Sequence, residues 1–238
     1  MSFQVFSVPP RKKTFWELLS LNTKLILVNV AVFILFSFLL LMDKINLDFI
    51  AIKPDNILQG KYLWTFLTSM FMHGGFLHLF ANMFSLLFIG GLVEKLLGSK
   101  RYLWFYLISG LFAGLFFVIV SYIFNAIGFV SVGNSVIDLT KDFGTYAVGA
   151  SGALFGLVGL LMVLTPNLPV YVMFIPIPIK MKYAAPGILV VLWFISITSG
   201  MMIGNTAHLG GLLAGVVYGF FLKNKFPKKS VLISKHFS

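Results

Sequence analysis

The chain has 238 residues, of which 59% are hydrophobic and 11% charged, well under the roughly 25% charged residues of soluble domains, and its mean hydropathy is +0.97. A water-soluble core of this size cannot hide so much apolar surface, whereas a lipid-facing one need not. Cysteine is absent, which excludes disulfides and thiolate metal sites, and with only four histidines no metal or other cofactor is expected. The formal charge of +11 does not point to nucleic acid: the basic clusters at Arg11–Lys13, Lys100–Arg101 and Lys223–Lys229 each border an apolar stretch, as cytoplasmic loops do.

The fold class expected is an all-α, polytopic bundle of six transmembrane helices, since a span needs about 20 mostly apolar residues. The first span is residues 25–41, followed by a mixed, interfacial loop over 44–62. The second begins near Trp64 or Leu77 and ends at Leu97. The third covers 102–124, and a Gly/Ser/Asn/Asp-rich loop follows over 125–145. The fourth, 147–164, is short and opens with the small-residue run GASGA. Residues 165–186 hold five prolines (166, 169, 176, 178 and 186), so no continuous helix crosses them. The fifth span is 187–199 and the sixth 205–222. This divides the chain into an N-terminal cytoplasmic segment (1–24), a membrane domain (25–222) and a basic cytoplasmic tail (223–238). No internal repeat is evident, which disfavours a transporter of duplicated halves.

Polar residues within spans are costly, so each needs a reason. In HGGFLHLFAN, residues 73–82, His78 and Asn82 lie one helical turn apart on one face; either interhelical hydrogen bonding or a chemical role would account for them. His73, near the helix start, is expected to tie down a loop. Gly149-Ala150-Ser151-Gly152 reads by itself as a close-packing surface, with Gly152 and Gly156 forming a GxxxG pair. His208 shares its helix with Gly211, Gly215 and Gly219, so a partner backbone is expected to come very close there. Together the three stretches supply a hydroxyl, a base for its proton, and amide and imidazole donors of the kind an oxyanion requires. No Asp or Glu lies in the spans near them, because Glu94 sits at the far end of the second. A Ser–His pair therefore fits better than an acid-completed triad.

These stretches, with GGLVEKLLGS at 90–99 and AHLGGLLAG at 207–215, resemble the rhomboid family of intramembrane serine proteases over roughly residues 63–221. Any one of the motifs is weakly specific, but all of them in this order are strongly so. The resemblance implies Ser151 as nucleophile, His208 as general base, and His78, Asn82 and the Ser151 backbone N–H as the oxyanion hole. Gly149 would keep the backbone open there, and Glu94 would anchor the loop entering the third span, with Gly98 ending the second. The substrates implied are single-pass transmembrane proteins within the lipid bilayer, cut at a locally unwound segment in a water-filled cavity. Two positions depart from the family pattern: its Trp-Arg pair is Trp64-Thr65 here, and its usual Tyr four residues after the serine is Phe155, whose ring remains available to His208. A non-catalytic relative that binds transmembrane helices as a scaffold is the alternative.

Of the 18 Lys and Arg residues, 14 fall on the side of both termini and four on the other, which sets the termini in the cytoplasm and the start of the fourth span facing outward from the cell membrane. A cysteine placed at Gly144 in this cysteine-free chain is expected to react with a membrane-impermeant thiol reagent in intact cells, and one at Lys225 not to. The opposite labelling pattern would reverse the orientation.

Overall fold

The computed structural model describes residues 11, 14–132, 135–138, 140, 142–172, 176–199 and 204–237; the predicted basic positions Lys12, Lys13 and Lys141 lie outside them. Five helices are long and apolar enough to cross a membrane: α1 (Leu21–Leu41), α2 (Phe76–Leu97), α3 (Ser99–Ile127), α5 (Met181–Ser199) and α6 (Asn205–Lys225). The shorter α4 (Ser151–Leu164) lies among them, and the basic tail forms α7 (Pro227–His236). The expected helical bundle is therefore present, with α4 at its centre. Nearly every α4 residue is buried, while whole faces of α1, α3 and α5 present Leu, Ile, Val and Phe outward, as a lipid-facing surface requires.

Small residues let α4 occupy the centre. A Cβ on Gly211 of α6 would collide with the Gly152 carbonyl of α4, one on Gly215 with the Gly156 carbonyl, and one on Gly159 of α4 with the Leu212 carbonyl. The partner backbone expected near the α6 glycines is thus α4, although Gly219 faces the Val163 side chain instead. On the opposite side of α4, a Cβ on Gly156 would come within 2.5 Å of Ser109 and one on Gly152 within 2.7 Å of Ala113, both on α3. Lipid supplies no hydrophobic drive to press helices together, so close backbone approach and dispersion hold this contact.

Several boundaries differ from those predicted, each for a local reason. α1 starts four residues early because its polar first turn is capped: the Ser20 hydroxyl accepts the Thr23 N–H, and the Glu94 carboxylate accepts the N–H groups of Leu21 (3.0 Å) and Asn22 (2.9 Å). Glu94 also accepts the Ser99 hydroxyl at 2.6 Å, so it joins the starts of α1 and α3. The second span begins at Phe76, and the Trp64 region forms only a short helix, Thr65–Thr68. α5 begins at Met181 rather than 187, with Pro186 inside it. Proline's φ suits a helix, and the carbonyl it leaves without a donor is that of Lys182, at the interfacial end where water can serve it. The loop after α3 contains an unpredicted antiparallel hairpin, β1 (Phe129–Val132) with β2 (Ser135–Asp138), in the register Val132↔Ser135. α4 starts at Ser151, and Gly149 just before it has φ +124°, so residues 147–150 are not helical as predicted.

Gly211→Ala is expected to lower stability by about 1–3 kcal/mol through overpacking, whereas Gly187→Ala, whose added Cβ would meet nothing within 4 Å, should gain about 0.5–1 kcal/mol of helix propensity. Denaturant unfolding in mixed micelles measures both. Equal effects at the two sites would refute the close contact.

Candidate active site

Three helices bring polar groups to one end of the bundle, and each does so from its first turn. Ser151 is the first residue of α4, His78 the third of α2, and His208 the fourth of α6. A helix start leaves backbone N–H groups without intrahelical acceptors and carries the positive end of the macrodipole. The region between these three ends therefore favours negative charge before any side chain is considered.

The Ser151 hydroxyl and His208 Nε2 are 2.8 Å apart. The His208 ring is buried and stacks on Phe155, with centroids 4.6 Å apart and planes 18° from parallel. Phe155 follows Ser151 by one helical turn, so α4 supplies both the hydroxyl and the surface on which the imidazole rests. Among the described residues, His208 Nδ1 has no hydrogen-bond partner, and no carboxylate reaches the ring. With Nε2 turned to the hydroxyl, the tautomer able to accept its proton carries hydrogen on Nδ1.

His78 lies across from this pair. Its Nδ1 accepts the Gly74 N–H at 3.3 Å, so the neutral ring carries its hydrogen on Nε2. That nitrogen faces Gly149, where an added Cβ would stand 2.9 Å from it, 2.8 Å from Cε1 and 3.6 Å from the Ser151 hydroxyl. Only a residue without Cβ leaves this space open, and φ +124° independently favours glycine. Asn82 is buried one turn further along α2 and donates one amide hydrogen to the His78 carbonyl at 2.8 Å, which leaves the second hydrogen of its NH₂ group. No hydrogen bond joins His78 or Asn82 to Ser151 among the described residues.

The backbone preceding Ser151 is fastened to the segment between α1 and α2. Ala147 and Ile52 exchange N–H···O bonds of 2.8 and 3.1 Å, and the Gly149 N–H donates to the Ser69 carbonyl at 2.8 Å. The Ala150 N–H donates to His73 Nε2 at 3.5 Å. His73 is buried, 5.2 Å ring to ring from His78, and so ties a loop to the backbone just before Ser151. Sequence reasoning did not find Ile52 or Ser69, whose contributions are backbone groups that carry no side-chain signature. The Trp64-Thr65 departure leaves the first loop anchored by other atoms: Trp64 Nε1 donates to the Phe49 carbonyl (3.0 Å) and the Thr68 hydroxyl to the Ile50 carbonyl (2.9 Å). Thr65 is itself buried, with its hydroxyl unpartnered. Among the described residues, no group of three His, Asp or Glu side chains could hold a metal.

The Rhomboid domain family model matches residues 60–225. The chain is 35% identical over 164 residues to "RHOMBOID-like protein 5" of Arabidopsis thaliana, covering 67% of this chain and 44% of that one. It is 29% identical over 175 residues to "Putative rhomboid protease YdcA" of Bacillus subtilis (strain 168), 73% of each chain. It is also 29% identical over 159 residues to "Inactive RHOMBOID-like protein 8" of Arabidopsis thaliana, 66% of this chain and 37% of that one. The chain belongs to the rhomboid family and is a multi-pass membrane protein. It spans less than half the length of the two plant relatives.

Gly149→Ala is expected to cost about 1–3 kcal/mol, because the new methyl meets the His78 ring as well as adopting a disfavoured φ. Gly60→Ala, with φ +74° and nothing within 4 Å, should cost only the backbone strain, about 1 kcal/mol. Thermal unfolding of the two variants in the same detergent checks the difference.

Proposed function

We propose that the chain is an intramembrane serine endopeptidase that cuts single-pass transmembrane proteins with a Ser151–His208 pair. The observation that carries this reading is the 2.8 Å contact between the Ser151 hydroxyl and His208 Nε2, with the His78 ring beside Gly149 just ahead of Ser151. The name of the Bacillus relative agrees with it.

In this mechanism His208 Nε2 takes the hydroxyl proton as Ser151 Oγ bonds to the scissile carbonyl carbon. The carbonyl oxygen becomes an oxyanion, which the Ser151 N–H, the His78 Nε2–H and the second Asn82 amide hydrogen stabilise in this reading. His208 then gives its proton to the leaving amine nitrogen, and the C–N bond breaks to leave an acyl ester on Ser151. A water molecule, losing a proton to His208, attacks that ester, and the hydroxyl is restored as the carboxylate product departs. Stacking on Phe155 holds the imidazole plane in place of the carboxylate that a triad would use.

The length of α4 bears on where the cut falls. Its 14 residues extend about 21 Å at 1.5 Å per residue, against a hydrocarbon core of about 30 Å. With its far end at the cytoplasmic boundary, Ser151 lies roughly 9 Å below the outer one. Helical substrate presents hydrogen-bonded, shielded carbonyls, and breaking those bonds in lipid is costly. Gly or Pro near the outer end of a substrate span lowers that cost, so such spans are the preferred substrates.

A panel of single-span proteins incubated with the purified chain tests the reading. Ser151→Ala and His208→Ala should abolish cleavage, while folded variants at each of the seven acidic residues should retain it. Asn82→Ala should lower kcat by about tenfold to a thousandfold with little change in thermal stability. Binding of the spans without cleavage by the unaltered chain would favour the scaffold function instead.

A further inference from the structure

The second span is not a uniform α-helix. Between Phe76–Ser85 and Gly91–Leu97 it widens into a π-turn, Leu86–Gly90. A π-turn amounts to one residue inserted into an α-helix. At 100° per residue, it rotates everything on one side of it by about 100° relative to the other.

The consequence can be read from residue spacing. Asn82 and Glu94 are twelve residues apart, as are His78 and Gly90. A straight α-helix would place the members of each pair about 120° apart, and the inserted residue brings each pair to about 20°. With the π-turn, His78, Asn82, Gly90 and Glu94 lie along one strip about 60° wide. Both ends of that strip are occupied. Glu94 caps α1, fixing the inner half of α2, and His78 adjoins Gly149 at the outer end.

Asn22 of α1 meets the π-turn itself. Its side-chain amide donates to the Leu86 carbonyl at 2.9 Å and reaches the Leu87 carbonyl at 3.5 Å. Its Oδ1 accepts the Tyr102 hydroxyl of α3 at 2.6 Å, and its backbone N–H is held by Glu94. Asn22 and Tyr102 are both buried. Gly90 is the position that admits them, since a Cβ there would collide with Asn22 Oδ1 and come within 2.7 Å of the Tyr102 hydroxyl. A widened turn disrupts the regular i+4 donors, and in lipid a carbonyl without a donor is costly. An amide delivered from a neighbouring helix offsets that cost.

We infer that Asn22 is a positioning residue, which clamps the π-turn of α2 and thereby sets the rotation that directs His78 and Asn82 toward Ser151. The catalytic part of this statement rests on the peptidase reading; the rotational part does not. If the turn relaxed to α-helix with the inner half held, each outer residue would move to the place of its predecessor. His78 would take the lipid-facing place of Leu77, and Phe80 the buried place of Leu79.

The experiment combines Asn22→Leu with deletion of Phe88, a lipid-exposed residue of the π-turn. Asn22→Leu should lower kcat on a single-span substrate by about tenfold or more with KM within about twofold. In parallel, single cysteines report rotation to a membrane-permeant thiol reagent. In the unaltered background Phe80→Cys should react and Leu79→Cys should be protected, and Asn22→Leu should invert that order. General loosening would expose Leu79→Cys without protecting Phe80→Cys, and that result overturns the inference. Deleting Phe88 in the Asn22→Leu chain removes the inserted residue covalently, so kcat and labelling should return to within about threefold of the starting protein.

A simple interhelical strut would not be rescued by the deletion, so failure of rescue also overturns the inference, as does Asn22→Leu with unaltered kcat and labelling. Should Asn22→Leu not fold, recovery of folded protein on deleting Phe88 supports the clamp, and no recovery refutes it. A starting protein that cuts no substrate overturns the peptidase reading alone, and the labelling order still decides the rotation.

Discussion

The carbonyl of Gly152 lies where any side chain on Gly211 would have to stand, and the candidate site depends on that contact. Ser151 precedes Gly152 on α4, and His208 precedes Gly211 by about one turn on α6. The spacing between the two helices therefore sets the spacing between hydroxyl and imidazole. Bringing backbones this close leaves no room for a methyl group, and the same contact recurs at Gly156 with Gly215 and at Gly159 with Leu212. Repetition along the interface restrains sliding and rotation, so the 2.8 Å contact at one end of it rests on a rigid seam.

The site's electrostatics follow from where the helices begin. α2, α4 and α6 all start at the end that carries Ser151, and each turns unpaired N–H groups toward the same region. Among the described residues, the five Asp lie in segments at that end, whereas Glu17, Glu94 and most of the Lys and Arg residues lie at the other. Glu94 is already engaged with the starts of α1 and α3. Among the described residues the one ion pair is Arg11 with Glu17, so hydrogen bonds and packing hold the bundle together. The backbone leading into Ser151 is in turn fixed by backbone bonds from Ile52 and Ser69 and by His73.

Much of this was legible in the amino-acid sequence. Apolar run length identified the spans, and the four-residue spacing of Gly211 and Gly215 announced a close neighbour without naming it. The polar residues His78, Asn82, Ser151 and His208 stood out because lipid penalises them. The Gly133-Asn134 pair between two alternating stretches is itself a hairpin signal, and reading the segment only as a polar loop missed it. Asn22 was missed for another reason: it lies where apolar content falls off, so it marked a span boundary instead of a contact.

What the sequence determined by itself was the set of groups available and the order of the spans, because hydropathy and spacing are local properties of a chain in lipid. Tertiary structure alone decided which backbone faces the α6 glycines, that α4 begins at Ser151, and that Pro186 sits within α5. It also decided that α2 takes a π-turn, and hence which way His78 and Asn82 face. A helix inserted by itself would pair its carbonyls at i+4 and stay regular; only an amide from another helix, with Gly90 making room for it, stabilises the extra residue. Rotation of one span about its axis leaves its hydropathy unchanged, so no local reading of the sequence could have revealed it.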